Sequence, residues 1–180
     1  MIHALQKIVV LGPESTGKST LGEQLAKHYD TYYCPEYARQ YLSENGVKYN
    51  YNDLLTIAKG QLTLEDAFEQ KAITNKKNKL VIDTDMYVMK VWCEYAFDNC
   101  HTYILEQINT RIYDFYLLCD IDLPWTADEM REYPDPKPRQ ELFQIYKDIL
   151  VNQNVPWGIV SGIGDDRIKN AIQLIDKSLS

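Results

Sequence analysis

With 180 residues, 45% of them apolar and 25% charged, the chain has the length and composition of one globular domain with a sizeable core. Its net charge of −7 disfavours contact with a phosphate backbone, so we expect no nucleic-acid partner. No apolar run approaches the ~20 residues that a membrane helix needs, and the N-terminus lacks a signal-peptide pattern. We therefore expect no membrane partner and a cytoplasmic protein. The cysteines form no C-x-x-C pair, and Cys34 and Cys119 lie in apolar runs, which indicates buried reduced thiols rather than a zinc site.

Short apolar runs alternate with amphipathic stretches along the chain. In chain order, we predict a strand (7–11), a helix (18–29), a strand (31–34), two helices (37–44 and 53–74), a strand (80–83), two helices (86–95 and 102–108), a strand (115–121), a helix (140–151), a strand (157–161) and a helix (165–179). This alternation predicts an α/β fold with a five-stranded parallel sheet in a single domain, residues 1–180. The charged stretch 124–139, which contains several prolines, fits neither element type and is predicted to be a lid.

The segment GPESTGKST, residues 12–20, follows the first predicted strand and begins the first helix, as in the phosphate-binding loop G-x-x-x-x-G-K-[ST]. Gly12 and Gly17 permit unusual backbone angles, and the exposed N–H groups form an anion site at a helix N-terminus. Lys18 is predicted to bridge the β- and γ-phosphates, and the Ser19 hydroxyl to bind Mg²⁺. The other candidate nucleotide contacts are Glu14, Ser15, Thr16 and Thr20. The loop and the alternating elements together predict a three-layer sandwich of the P-loop NTPase type.

The third predicted strand helps to choose among P-loop proteins. Asp83 follows Val81 and Ile82, which suits the carboxylate that lies near Mg²⁺. The next residue is Thr84, where ATPases that drive motion usually carry a Glu, and residues 75–78 lack the final Asp of a guanine motif. These features favour a small kinase, in which a substrate hydroxyl attacks the γ-phosphate.

A kinase needs a carboxylate to orient or deprotonate the acceptor hydroxyl. Glu36 follows the second strand, in the first turn of a helix whose backbone angles are preset by Pro35. Because the carboxyl ends of neighbouring parallel strands face one crevice, Glu36 and Asp83 should converge beside Lys18. Asp85 competes for the same role. The alternatives are that Glu36 only complements its helix dipole and that Asp85 is a helix N-cap.

Cations are also needed to stabilise charge in the transition state. Arg131, Lys137 and Arg139 lie in the predicted lid and could close over the phosphates. Arg39, one turn beyond Glu36, is a further candidate. The alternatives are a solvated loop and an ordinary surface arginine.

The acceptor pocket is predicted from aromatic and amide side chains. Tyr37, Tyr87 and Trp92 should lie near the crevice, where aromatic faces can stack on a flat ring and attract a cationic one. Gln61 lies on an otherwise apolar helical face, and a buried amide there could bind an amide- or base-bearing ligand. Most of these aromatic side chains could equally be core residues.

Several segments together resemble a known family. GPESTGKSTL, PEYARQY, IAKGQ, VIDTD and the segment Trp125…Arg131…Arg139-Gln140 resemble the ribosylnicotinamide kinase domain of NadR-type NAD-metabolism proteins, from about Lys7 to Asp176. The resemblance implies a P-loop kinase that phosphorylates nicotinamide riboside to nicotinamide mononucleotide with ATP and Mg²⁺. Bifunctional members carry a helix-turn-helix and an adenylyltransferase domain ahead of this one. Neither occurs in this sequence, so DNA binding and adenylyl transfer are not expected of it.

The resulting hypothesis is an in-line transfer of the ATP γ-phosphate to the 5′-hydroxyl of nicotinamide riboside. Glu36 or Asp85 orients the hydroxyl, Arg131 and Arg139 close over the transferring group, and adenine lies near the turn 161–164. The alternatives are a deoxynucleoside or nucleoside monophosphate kinase and, from another class, a nucleotide-binding regulator that transfers no phosphate. A homo-oligomer is compatible with the sequence.

Overall fold

The structure is a computed structural model that describes residues 4–127, 130, 132 and 135–179. Its strands are β1 (Gln6–Leu11), β2 (Tyr32–Cys34), β3 (Lys79–Asp83), β4 (Phe115–Cys119) and β5 (Trp157–Val160). Its helices are α1 (Lys18–His28), α2 (Tyr37–Asn45), α3 (Tyr51–Thr74), α4 (Met86–Phe97), α5 (Thr102–Thr110), α6 (Pro136–Val151) and α7 (Asp165–Leu179).

The described strands form one parallel sheet in the order β2-β3-β1-β4-β5. Alternate side chains of β1 pack on opposite faces of this sheet, as the period of two in a strand requires. Ile8 and Val10 join a cluster with apolar residues of α1 and α7, whereas Val9 and Leu11 join a cluster with α4 and α6. The predicted five-stranded parallel sheet between two helical layers is confirmed.

A further apolar cluster lies beside the sheet, where α2, α3, α4 and α5 meet. It includes Ala38, Leu54, Met86 and Ile104, all of them buried. This cluster fixes α2 and α4 relative to each other, and both helices begin just beyond a strand end. Cys34 and Cys119 are buried, as their apolar surroundings in the sequence predict.

The position of β1 in the sheet determines where a ligand crevice can form, because parallel sheets bind ligands where the strand order reverses. β1 is paired with β3 on one side and with β4 on the other, and β2 and β5 extend the sheet beyond them, so the strand order reverses its direction at β1. In register, Val10 is paired with Asp83 and Leu11 with Leu118. The loop after β1 and the carboxyl end of β3 therefore meet at the crevice expected at such a switch point.

Helix α6 begins at Pro136, whereas the sequence analysis predicts its start at residue 140. Asp135 caps the helix by accepting a hydrogen bond from the Lys137 backbone N–H at 3.0 Å. Proline is tolerated in a first helical turn, because the N–H groups there have no intrahelical partner. Pro136 and Pro138 thus belong to a helix start, and Arg139 lies within α6.

Among the described residues, no helix is long and apolar enough to cross a membrane.

Candidate active site

The loop between β1 and α1 has the backbone of a phosphate cradle. Gly12 has a φ of 142°, and a Cβ there would lie 3.0 Å from the carbonyl oxygen of Cys119. Gly17 has a φ of 74° and is the N-cap of α1. Lys18 Nζ donates a hydrogen bond to the carbonyl oxygen of Pro13 at 2.9 Å, which curls the lysine back over the loop. The N-terminus of α1 and this ammonium group give the loop a positive potential suited to phosphates.

Asp83, at the end of β3, lies next to the start of α1. Ser19 Oγ donates a hydrogen bond to Asp83 Oδ2 at 2.8 Å, and Thr84 Oγ1 donates to Oδ1 at 3.3 Å. Asp83 is fully buried, and Thr84 has a left-handed φ of 75°, an unusual conformation for a β-branched residue. The two predicted metal ligands, Ser19 and Asp83, are therefore in contact.

A cavity of about 380 Å³ opens between this loop and the helices α2, α4 and α6. The phosphate loop, residues 12–20, forms one part of the lining and includes Glu14 and Lys18. The rest of the lining is largely apolar and aromatic and includes Leu42, Tyr49, Val88, Val91, Trp92, Tyr95, Leu142 and Tyr146. Outside the loop, Glu36, Arg39 and Glu132 supply charge. The cavity thus joins a phosphate site to an aromatic chamber.

Glu36 lies on the wall of this cavity. It is the N-cap residue of α2, with extended backbone angles, rather than a residue of the first turn as the sequence analysis predicts. Among the described residues, its side chain makes no capping hydrogen bond. Burial and the Asp83 carboxylate raise the pKa of Glu36, while Lys18 and Arg39 oppose that shift. A carboxylate with a raised pKa beside the phosphate loop suits general-base chemistry.

Asp85 occupies a different environment. It is buried and caps α4, with Oδ1 accepting from the backbone N–H groups of Tyr87 at 3.0 Å and Val88 at 3.3 Å. Tyr116 donates its hydroxyl to Asp85 Oδ2 at 3.2 Å. Among the described residues, the cavity lining does not include Asp85. The geometry is that of a structural N-cap, one of the two alternatives for this residue.

Burial raises the pKa of Asp85 from its ordinary value of 3.8 to about 7, with a smaller contribution from Glu65. The folded protein therefore holds a proton between these two pH values that the unfolded chain releases, so stability falls as pH rises from about 4 to 7. Asp85→Asn mimics the protonated acid and can still cap α4. We expect it to remove this pH dependence and to stabilise the protein at pH 8 by at least about 1 kcal/mol. Urea unfolding of both proteins at pH 4.5 and 8 measures the effect, and an equal slope with pH would contradict it.

The remaining predicted substrate contacts fall into two groups. Arg39 and Trp92 line the cavity, and Trp92 Nε1 donates to the Tyr49 hydroxyl at 2.8 Å. Within the described residues, the lining does not include Tyr37, Tyr87 or Gln61. The ring of Tyr37 packs on Gly60, where a Cβ would lie 2.0 Å from it, and Tyr87 packs on the ring of Tyr116.

Gln61 satisfies its amide within the protein. Its Oε1 accepts from the Tyr37 backbone N–H at 2.7 Å, and its Nε2 donates to the carbonyl oxygens of Pro35 and Asp83, each at 3.3 Å. The side chain thus joins the ends of β2 and β3 to the start of α2. Its buried amide has the partners that such a group needs without any ligand.

The predicted lid contacts the phosphate loop through side chains that we assigned to nucleotide binding. Glu14 accepts from Trp125 Nε1 at 3.4 Å and from the Glu132 backbone N–H at 2.9 Å. Ser15 Oγ accepts from the Thr126 backbone N–H at 2.9 Å. Arg139, largely buried, donates to the carbonyl oxygens of Ser15 at 3.3 Å and of Leu123 at 3.1 Å. Arg131 lies outside the described residues.

Arg167, on α7, is a functional candidate that the sequence analysis missed. Its guanidinium donates to the carbonyl oxygen of Thr16 at 2.9 Å, to that of Gly162 at 3.0 Å and to Asp122 Oδ1 at 2.7 Å. It therefore links the phosphate loop to the turn 161–164, where we predict adenine. In the sequence, Arg167 resembles any helix arginine, and only the packing of α7 reveals its role.

Comparison with curated proteins shows that nearly the whole chain is similar to NadR proteins. The chain is 26% identical over 176 residues to the trifunctional NAD biosynthesis/regulator protein NadR of Escherichia coli strain K12. This match covers 95% of the chain but 42% of that protein, so the chain spans less than half of the relative's length. The predicted resemblance to NadR-type proteins is confirmed.

Solved structures establish the fold independently. A crystal structure of NadR protein in complex with NR has a TM-score of 0.77 at 21% identity, and the match covers 98% of this chain and 51% of that one. A thymidylate kinase from Ehrlichia chaffeensis has a TM-score of 0.64 at 14% identity, with 97% of this chain and 98% of that chain covered. The architecture is that of P-loop kinases.

A protein-family model, AAA_28, described as an AAA domain, matches residues 7–167 and so includes the phosphate loop, Asp83 and Arg167. Because this match extends over most of the sequence, the chain belongs to the AAA_28 family of AAA domains.

Proposed function

We propose that this chain is an ATP-dependent kinase that transfers the γ-phosphate to the 5′-hydroxyl of nicotinamide riboside. The observation that supports this most directly is the cavity of about 380 Å³ that joins the phosphate loop to an aromatic chamber. Such a volume is within the usual range for a small-molecule site. Glu36 lies on its wall beside the loop, where an acceptor hydroxyl would meet the γ-phosphate.

In this proposal, the phosphate loop binds ATP through its backbone N–H groups and Lys18. The oxygens of Ser19 and Asp83, in contact at 2.8 Å, fit a hard cation, so these two residues would hold Mg²⁺. When bound, Mg²⁺ neutralises charge on the phosphates. Asp83 would act directly or through water.

Glu36 accepts the proton of the attacking hydroxyl as the new O–P bond forms and the bond to the bridging oxygen of ADP breaks. The raised pKa of Glu36 makes it a better proton acceptor than an ordinary surface carboxylate once it is ionised. Arg39 also lines the cavity and, together with Lys18, could offset charge on the transferring group. Arg139 stabilises the phosphate loop, because it donates hydrogen bonds to the carbonyl oxygens of Ser15 and of Leu123, next to the lid.

The chamber suits a flat cationic acceptor. Trp92, Tyr49 and Tyr146 present aromatic groups, and a pyridinium ring near such faces gains cation–π energy of about 0.5–2 kcal/mol. Glu36 and Glu132 add negative charge to the same cavity. NadR and the structure of NadR with NR support nicotinamide riboside as the acceptor.

A panel of acceptors tests the proposal. Purified protein with ATP and Mg²⁺ is given nicotinamide riboside, thymidine, deoxyadenosine, uridine and nucleoside monophosphates, and ADP formation is measured. We expect kcat/KM for nicotinamide riboside to exceed the others by at least about tenfold, equivalent to about 1.4 kcal/mol. Trp92→Leu should raise the KM for nicotinamide riboside, while Trp157→Phe, on β5, serves as the control.

Two outcomes would contradict the proposal in different ways. Turnover of thymidine or a monophosphate with inert nicotinamide riboside would favour a nucleoside or nucleotide kinase, the function of the similar thymidylate kinase. Tight nucleotide binding without transfer to any acceptor would favour a non-catalytic regulator.

A further inference from the structure

Tyr33, on β2, contacts the carboxylate at the proposed metal site. Its hydroxyl donates a hydrogen bond to Asp83 Oδ2 at 2.8 Å, the same oxygen that accepts from Ser19. Among the described residues, the cavity lining does not include Tyr33, and its hydroxyl contacts Asp83 and Ser19 instead. Tyr33 therefore acts on these two side chains rather than on a substrate.

The packing of β2 and α1 restricts the orientation of the Tyr33 side chain. Tyr33 is paired in register with Val81, two residues before Asp83, and its ring packs with the cluster between the sheet and α1. The ring passes over Gly22 of α1, where a Cβ would lie 2.4 Å from Cε2 of Tyr33. Glycine inside a helix is less favourable than alanine, so a buried glycine here indicates a packing requirement. Gly22 makes the room that Tyr33 needs to reach Asp83.

The neighbouring tyrosine shows that this contact is specific. Tyr32 alternates to the other face of β2, where it packs with the opposite cluster and lies under Lys71 Nζ, 4.4 Å from the ring centroid. The two residues share a strand and a side-chain type, but only Tyr33 contacts Asp83. Tyr32 is therefore a matched control.

We propose that Tyr33 is a positioning residue for the magnesium site, which fixes the Asp83 carboxylate toward Ser19 by its hydrogen bond to Oδ2. This inference rests on the proposed metal role of Ser19 and Asp83. When the cation binds the Ser19 oxygen, Ser19 and Asp83 must both face it, and Tyr33 limits rotation of the carboxylate.

Metal binding to the complex with the unreactive analogue AMP-PNP tests this inference without turnover. Mn²⁺ titrations followed by electron paramagnetic resonance should give an affinity about 10–100-fold weaker in Tyr33→Phe, the usual effect of losing such an outer hydrogen bond. AMP-PNP binding in EDTA should be unchanged, since Tyr33 is not among the described residues that line the cavity. Tyr32→Phe should match the wild type in both measurements.

Gly22→Ala supplies an independent route to the same result. The added methyl group displaces the Tyr33 ring, so Mn²⁺ affinity should fall as in Tyr33→Phe. The double variant Gly22→Ala/Tyr33→Phe should lose little more than either single change, because both act on one hydrogen bond. Circular dichroism and thermal unfolding establish that each variant is folded under the titration conditions.

Ser19→Ala and Asp83→Asn separate the failure of this inference from that of the metal site. If these two variants bind Mn²⁺ weakly while Tyr33→Phe stays within twofold of the wild type, the positioning role is wrong and the metal site stands. If Ser19→Ala and Asp83→Asn also bind Mn²⁺ normally, the proposed metal site fails and the inference fails with it.

Discussion

Glu36→Gln is expected to lower kcat for nicotinamide riboside by about 10²–10⁴-fold, the usual contribution of a general base. The substitution keeps the size of the side chain and removes the proton acceptor from the cavity wall, so nucleotide affinity should change little. Asp85→Asn should keep kcat within about threefold, because Asp85 is buried as the cap of α4 and Asn also caps helices well. Steady-state kinetics and AMP-PNP titrations measure both effects.

Glu44→Gln is the control for that comparison. Glu44 is exposed near the end of α2 and accepts a hydrogen bond from Gln40, so its charge lies on the same helix outside the cavity. A loss in Asp85→Asn that exceeds the loss in Glu36→Gln would reverse the assignment of the base. If both variants lose only a little kcat, neither Glu36 nor Asp85 is the general base. That outcome would contradict the proposed mechanism.

Arg167→Met is expected to have the second large effect, on both stability and nucleotide binding. The guanidinium joins the phosphate loop, the turn 161–164 and Asp122, so its loss removes a donor from the carbonyl oxygens of Thr16 and Gly162 and the cationic partner from Asp122. We expect the free energy of unfolding to fall by about 2–4 kcal/mol. We also expect the KM for ATP to rise on the order of tenfold, which corresponds to about 1.4 kcal/mol, while the KM for the acceptor stays nearly constant.

Lys169→Met, an exposed position on the same helix, controls for the loss of a positive charge. Arg167→Lys distinguishes charge from geometry, because an ammonium group cannot reproduce the fork of a guanidinium and should restore only part of the ATP affinity. If Arg167→Met destabilises the protein but binds AMP-PNP as tightly as the wild type below its unfolding temperature, Arg167 has a structural role alone.

Much of the architecture could be predicted from the sequence because its determinants are local. The β-branched run that ends at Gly12 predicts β1, and the Gly and Lys spacing of residues 12–20 predicts the loop that follows. The short apolar runs predict the other strands, and their alternation with amphipathic stretches predicts a parallel sheet. The start of α6 could not be predicted in this way, since Pro136 and Pro138 are typical both of loops and of first helical turns.

Some residues of the candidate active site could be predicted from the sequence, and others could not. The sequence by itself determined the phosphate loop, the carboxylate Asp83 at a strand end and the presence of Glu36 near it, because strand ends follow from local patterns. Only the tertiary structure showed that Gln61 and Asp85 form their hydrogen bonds with other groups of the protein. It also showed that Tyr33 and Arg167 contact the site around the phosphate loop. The physical reason is that a buried polar side chain takes its role from its hydrogen-bond partners, and these partners come from segments far apart in the chain.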